Sequence, residues 1–413
     1  MGPGTPPMPQ NCRGRRPRVV GASLSVLLAI CWAPPVAAVQ SATAVGLDLR
    51  RQPIRIHRLA DDKLRFFDGS RQLRVKPIDQ FVQLLIDAPE DQAAAQADRG
   101  GAALSLTDGQ RLVGTWFGAD EDGQTLRLRH PALGPIGVQL ERVRRFVPPG
   151  HDATANGFAS EPAGVDWVQL VNGDVLEGFV ASIHTSHVRI ELAGGAEPID
   201  VPLERVRSVS LANDEKPELA AVDRLVLRDG SRVHASQLRI ESGDQLTFTR
   251  VEGNELKSAA VTIDLSRVAR IDLGSSGQRL VDLHELPLRV VAGGEVFGVP
   301  MPPRVIDGGF WLHAPVTVRF ELPAGAVRFA AQADLEAGDG GDRPSSWSDL
   351  IVKVAVDGKT EARVHLHAGA PRAALTGAAE GKILTIELEP GTYGPVMDRV
   401  LLRQAVVLVT QQP

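Results

Sequence analysis

Thiols are nearly missing from this chain, and their placement matters more than their number. The only cysteines, Cys12 and Cys31, lie within the first 38 residues. That segment reads as a signal peptide. Arg13, Arg15, Arg16 and Arg18 form a basic stretch, the apolar run Val19–Ala33 follows, and "PPVAA" sets Val36 and Ala38 at the small positions of a cleavage site. The run is shorter than the roughly 20 residues a membrane-spanning helix needs. An uncleaved anchor, or a lipid anchor at Cys31, is the alternative; for the latter, "LAIC" puts Ile30 where a small residue is required. The expected product is exported to the periplasm or beyond, with no membrane span, no disulfide and no cysteine-ligated metal. Cleavage would remove four arginines and no acid, taking the formal net charge from −5 to about −9. A net-acidic chain lacks the field that gathers polyphosphates, so no nucleic-acid partner is expected.

Aromatic residues are scarce at 4%, with a single tyrosine, and helical heptads are absent. So are the short signatures of catalysis: no G-x-S-x-G, no P-loop, no G-x-G-x-x-G and no H-E-x-x-H. Carboxylate pairs for glycoside hydrolysis carry no short motif, but repeats and one sandwich occupy the whole chain. A non-catalytic protein is the expectation. What the chain has in quantity is glycine (41) and proline (29), set among residues that alternate apolar and polar. That combination predicts a β-rich fold with many turns.

The pentapeptide "LERVR" occurs at Leu140–Arg144 and again at Leu203–Arg207. Aligning on it brings longer stretches into register. "LSLTDGQRLVG" (Leu104–Gly114) leads to "LERVRRF", and "VQLVNGDVLEG" (Val168–Gly178) leads to "LERVRSV". "LVLRDGSRVHA" (Leu225–Ala235) leads to "LSRVARI" (Leu265–Ile271), and "IDQFVQL" (Ile78–Leu84) closes a partial first copy. The Asp-Gly and Asn-Gly pairs between alternating runs predict hairpins. Each closing segment keeps its apolar Leu/Ile-x-x-Val/Phe frame while its charges change, so Glu141, Arg142, Arg144, Glu204, Arg205 and Arg207 read as a solvated edge. These units resemble Sm-like and SH3-like small barrels. Their expected bounds are 45–87, 103–147, 166–211 and 223–273. Protein partners could dock on the repeats. The stretch Pro77–Asp98, with Pro77 suited to a helix start, is open to a helical reading.

From about Leu280 a different pattern begins. "VTVRFEL" (Val316–Leu322) alternates strictly, as does "LIVKVAVDGKTEARVHLHA" (Leu350–Ala368) around Asp357-Gly358. Eight or so strands over 280–410 predict a β-sandwich of jelly-roll type. The stretches "EVFGVPMPPRVIDGGFWLHAPVTVRFELPAGAVRFAAQADLE", "SDLIVKVAVDGK" and "GKILTIELEPGTYGPVMDRVLL" resemble the NPCBM family of carbohydrate-binding modules from exported bacterial proteins. Ala333 stands where that family usually has glycine, and its closing motif is reduced to Met397-Asp398-Arg399. The resemblance implies a jelly-roll fold and a polysaccharide or glycan ligand.

Sugar recognition needs an aromatic platform and polar groups that fix hydroxyls. Trp347, in the polar loop "DRPSSWSD", is the first candidate platform, followed by Trp311 and by Tyr393 in "PGTYGP". Period two along Glu361–His367 aligns Glu361, Arg363, His365 and His367 on one face, as a sugar groove or a solvated exterior. "HTSH" would set His184 and His187 on opposite faces of a strand. "HEL" at His284 lacks a second ligand histidine, so no metal is assigned; "GDGGD" (338–342) offers oxygens for a structural calcium. The overall expectation is an exported carbohydrate-binding sandwich presented on tandem small barrels. The alternative is a structural or protein–protein interaction scaffold without sugar binding.

Overall fold

The computed structural model describes residues 40–410 apart from 88–100, 152–163, 193, 196, 215–221, 242–243, 253–254, 275–276, 307–308, 338–343 and 396. The expected signal segment 1–38 and the calcium loop 338–342 lie outside these residues. The described residues form β-strands and short 3-10 turns, with no α-helix. The helical reading fails over 77–86: Pro77 ends a strand, Ile78–Gln80 is one 3-10 turn, and Phe81–Ile86 is a strand. No helix among the described residues is long and apolar enough to cross a membrane.

One order of elements recurs four times before residue 273. The first instance runs Gln40–Gly46, Arg51–Ala60, Lys63–Phe67, Leu73–Pro77, the 3-10 turn Ile78–Gln80, and Phe81–Ile86. Successive strands pair antiparallel, and the last returns to pair with the first, Ala42 opposite Ile86 and Ala44 opposite Leu84. The others open at Ala102–Leu106, Asp166–Leu170 and Asp223–Leu227 and close at Val143–Val147, Val206–Ser210 and Val268–Asp272. Each repeats the first-to-last pairing. In "LERVRRF" the first three residues make the 3-10 turn and the rest make the closing strand. A 3-10 turn followed by a strand puts positions three apart on one side, so Leu140, Val143 and Phe146 all enter the core. Glu141, Glu204, Arg205 and Arg207 face water, while Arg142 and Arg144 are half-buried.

The Asx-Gly turns are four-residue connections. In "TDGQ" the Leu106 carbonyl accepts from Gly109 N at 3.2 Å, and Gly109 takes φ +82°. Gly173 (+95°) and Gly230 (+88°) do the same. Glycine is required there because the left-handed region is strained for a side chain. The preceding residue contributes an acceptor: Asp108, Asn172 and Asp229 each bind the N–H two residues on. The first instance begins at Gln40, ahead of the expected residue 45, and has all five strands. Its first turn, "LDLR" (47–50), has no glycine; Leu49 itself takes φ +60° and is buried. Without Asx-Gly the sequence carried no hairpin signal.

The four stretches do not form a simple string. The closing strand of the first pairs with that of the fourth, Leu84 opposite Ile271. That of the second pairs with that of the third, Phe146 opposite Val209. One continuous apolar core runs through all four. A buried polar lock ties the second to the fourth: His130 Nε2 lies 3.0 Å from Ser231 Oγ and 3.1 Å from Asp229 Oδ2. His130 Nδ1 accepts from Ala132 N and Leu133 N, so Nε2 carries the hydrogen.

Residues from Gln278 onward form two facing sheets. One holds Gln278–Asp282, Arg304–Ile306, Gly309–His313, Ala326–Leu335, Arg372–Ala378 and Arg399–Thr410; the other holds Leu288–Gly293, Val316–Glu321, Asp349–Val356, Lys359–His367 and Ile383–Pro390. With the ribbon Glu295–Val296 and Val299–Pro300, this exceeds the eight or so strands read from the sequence. Phe310, Leu312 and Phe329 from the first sheet meet Val318, Phe320, Val352 and Ile386 from the second. The closing run "VVLV" is buried on both faces. Val407 and Val409 enter the sandwich core, while Val406 and Leu408 pack outward against Val45, Leu49 and Val82 of the first stretch.

That seam is reinforced by charge. Arg270 pairs with Asp282 at 2.8 Å and with Asp272 at 3.0 Å, and Arg224 pairs with Asp272 at 3.0 Å. Burial lowers and the two carboxylates raise the Arg270 pKa, with a net rise; Asp282 is held well below the usual carboxylate range by Arg270 despite its burial.

A candidate carbohydrate site at the rim of the sandwich

The rim forms where the strand Asp349–Val356 meets the loops 344–348 and 391–398. Trp347 and Tyr393 lie there edge to face, their ring centroids 5.4 Å apart at 71°. They are 60% and 52% exposed, which distinguishes them from the buried core phenylalanines. The Trp347 loop is held by short-range bonds: Trp347 N donates to Ser345 Oγ at 3.2 Å, and Ser348 Oγ donates to the Met397 carbonyl at 3.0 Å. Gly391 is obligatory in the opposite loop, because a Cβ there would meet the Asp349 carbonyl at 2.2 Å.

Asp349 is the hub. Its Oδ2 accepts from Thr392 N at 2.9 Å, next to Tyr393, and its Oδ1 meets His365 Nε2. The Thr392 N–H, then His365, pull the Asp349 carboxyl down to about 2. Beneath it Asp398 is fully covered, accepting from Asp349 N at 2.9 Å and Gly391 N at 3.4 Å. Burial, with the nearby Asp349 charge, pushes the Asp398 carboxyl up to about 6. The two acids therefore have separate tasks: Asp349 stays ionised and orients His365, while Asp398 braces both loops.

The period-two reading of Glu361–His367 matches the burial. Leu366 is in the core with Ala362 and Val364 packed against it, and Arg363, His365 and His367 face water. The His365 and His367 rings lie 5.3 Å apart. Arg363 is roughly 13 Å along the strand from His367 by strand rise, and its guanidinium approaches Glu389 at 3.8 Å. Glu361 is half-buried and bound to Lys359 at 2.8 Å. The face thus carries His365 and His367 beside Asp349, with Arg363 further along, and Trp347 and Tyr393 lie in the two loops that flank Asp349.

Trp311 does not join them. It lies on Gly309–His313 of the other sheet, 9% exposed, with the Arg304 guanidinium 5.4 Å from its ring centroid. A tryptophan covered in this way offers no platform. The reading of "HTSH" also needs correction. Residues 184–186 form the turn between two strands, and the His184 and His187 rings stack at 4.6 Å and 21°. The two positions flank a reversal, so strand parity does not apply.

Asp282, His284 and Glu285 bring ligand-type atoms within 4.8 Å of one another. Arg270 and Arg232 already pair with the two carboxylates, and His284 Nε2 faces Arg232 Nη2 at 3.0 Å. A cation placed there would meet two guanidiniums, so the group reads as an ion network. Sequence reasoning missed Asp349, Thr392 and Asp398 as parts of the rim. The available signal was the acid at the mouth of each of two apolar strands, "SDLIV" and "MDRVLL".

No protein-family model matches the chain, and no curated protein matches it. Solved structures similar to it include the CBM51-2 and INT domains of Clostridium perfringens ZmpB: 12% identity, TM-score 0.25, 43% of this chain and 40% of that one. A CBM51 module of a Clostridium perfringens GH95 protein, in complex with methyl-galactose, matches at 14% identity and TM-score 0.25 over 31% of this chain and 99% of that one. Tandem CBM51 modules of a family 98 glycoside hydrolase from Streptococcus pneumoniae match at 13% identity and TM-score 0.22, covering 86% and 88%. This chain thus spans less than half of the first of these structures.

Proposed function

We propose that the chain is an exported, non-catalytic protein whose C-terminal sandwich binds a glycan at the Trp347–Tyr393 rim, and whose four repeated stretches are small barrels that present it. The single observation carrying this reading is the exposed Trp347–Tyr393 pair, tied to the His365–Asp349 pair through Thr392, which precedes Tyr393 and donates to Asp349. A pyranose offers an apolar C–H face and a ring of hydroxyls; aromatic rings take the former and fixed donors and acceptors the latter. The site is shallow, so binding should be weak and gain from multivalency. The resemblance of the sandwich sequence to NPCBM modules agrees with this chemistry.

A glycan array probed with the full chain and with Trp347→Ala tests the reading. The expected result is retention of one glycan class by the native chain and at least a tenfold loss in the variant, with unfolding unchanged. Absence of binding to neutral and acidic glycans alike would overturn it. The second reading, an interaction scaffold, is favoured by Phe297, which is 79% exposed at the tip of the ribbon Glu295–Pro300.

A further inference from the structure

A second site is suggested where three parts of the chain meet. A solvent-open cleft of about 620 Å³ is bounded by Arg51 and Asp87 of the first repeated stretch, Arg228 of the fourth, and Gln332, Arg403 and Gln404 of the sandwich. Its walls are fixed to one another by the apolar seam through Val45, Leu280 and Leu408 and by the Arg270 ion pairs.

Among the described residues the cleft sets three arginines, Arg51, Arg228 and Arg403, against one lining carboxylate, Asp87, in a chain whose formal net charge is negative. Among the described residues, neither Arg51 nor Arg228 has a carboxylate within ion-pair distance. Arg228 is held in place by backbone oxygens instead, donating from Nε to Ser266 O at 2.7 Å and from Nη2 to Ile86 O at 2.8 Å. That arrangement leaves Nη1 uncommitted to either bond. Burial lowers the pKa of both guanidiniums, and Asp87 acts on Arg228 only at longer range. Arg403 is anchored by Asp334 at 3.1 Å.

The strand Arg399–Thr410 is bulged where it passes the cleft. Its register against Ala326–Leu335 shifts between Ala330–Val406 and Gln332–Arg403, and Gln404 takes φ +48°. The irregularity puts Arg403 and Gln404, two consecutive residues, in water. A bulge is a device for re-aiming side chains, and a left-handed non-glycine residue is strained. Here both present a guanidinium and an amide at the cleft.

We propose that this cleft binds the carboxylate or sulfate group of an acidic saccharide, with Arg51 and Arg228 meeting the oxyanion and Gln404 the neighbouring hydroxyls. Arginine suits such a group because its planar fork makes paired, charge-assisted hydrogen bonds. The proposal goes beyond the rim reading and does not depend on it.

Isothermal titration of the full chain with a uronate oligosaccharide, its neutral counterpart of equal length, and sodium sulfate tests it. The uronate should bind at least tenfold more tightly than the neutral sugar, in competition with sulfate and more weakly at high salt. Arg51→Gln should weaken uronate binding about tenfold, whereas Trp347→Ala and the exposed control Arg205→Gln should not alter it. Thermal unfolding of each variant checks that the fold is intact. Equal binding of uronate and neutral sugar, sulfate binding without saccharide binding, or indifference to Arg51→Gln would overturn the proposal. Loss of uronate binding in Trp347→Ala alone would also overturn it while sparing the rim reading. Uronate binding that falls in Arg51→Gln and is unaltered in Trp347→Ala would uphold it, and the glycan array decides the rim reading separately.

Discussion

One histidine–aspartate pair from each half of this chain makes the comparison. In the repeated half, His130 and Asp229 have side chains 1% and 23% exposed; at the sandwich rim, His365 and Asp349 are 57% and 11% exposed. The same residue types therefore have different consequences. His130 Nδ1 accepts from two backbone N–H groups, those of Ala132 and Leu133, and its loss would leave these half-buried donors unpaired. His365 keeps one side in water and its orientation is set by Asp349, so its hydrogen bonds remain available to a ligand. Burial decides which pair is structural.

The largest effect should come from the seam between the halves. Asp282→Ala leaves Arg270 buried with half its compensation, and unfolding in urea should show a loss of about 3–5 kcal/mol. A loss below about 1 kcal/mol would mean the halves are joined by the apolar contacts alone. Next comes Asp398. Its carboxyl is raised to about 6 from an ordinary 3.8, so its contribution is fully present below pH 3.8 and is lost as pH rises through about 6. The slope integrates to at most about 3 kcal/mol. Asp398→Asn should flatten stability between pH 4 and 7 as followed by urea midpoints; an unchanged slope would assign the effect elsewhere.

His130→Ala should cost about 2 kcal/mol, through the orphaned N–H groups of Ala132 and Leu133 together with lost packing. His365→Ala should change stability by less than about 0.5 kcal/mol while weakening glycan binding. If the two histidine variants proved equally destabilising, the contrast between the halves would collapse. Smallest of all, Arg205→Gln in "LERVR" should leave both thermal stability and binding unaltered, since Arg205 faces water.

Much of the architecture was legible because strands announce themselves by alternation and turns by Asx-Gly. Leu140, Val143 and Phe146 marked the closing edge of a unit through their spacing, and period two separated Leu366 from His365. The first unit was only half legible: Leu49 turns the chain without glycine, its strain offset by burial against the sandwich. Trp311 was misleading because an aromatic at the start of a strand has the same local pattern whether or not a neighbour such as Arg304 covers it. Asp398 was read only as a remnant of a closing motif, because a lone acid carries no periodic signal that would place it at the rim.

The sequence by itself determined that the chain is β-structured, where the Asx-Gly turns fall, and which face of each strand is apolar. These are local properties, set by side-chain alternation and by the conformations that glycine and Asx residues allow. Only the tertiary structure decided that the first unit pairs with the fourth and the second with the third. It alone set His365 beside Asp349, flanked by the loops of Trp347 and Tyr393, and placed Arg51, Arg228 and Arg403 on one cleft. Those outcomes depend on which surfaces meet over long separations in the chain, where contact geometry and desolvation, rather than local pattern, fix the energy.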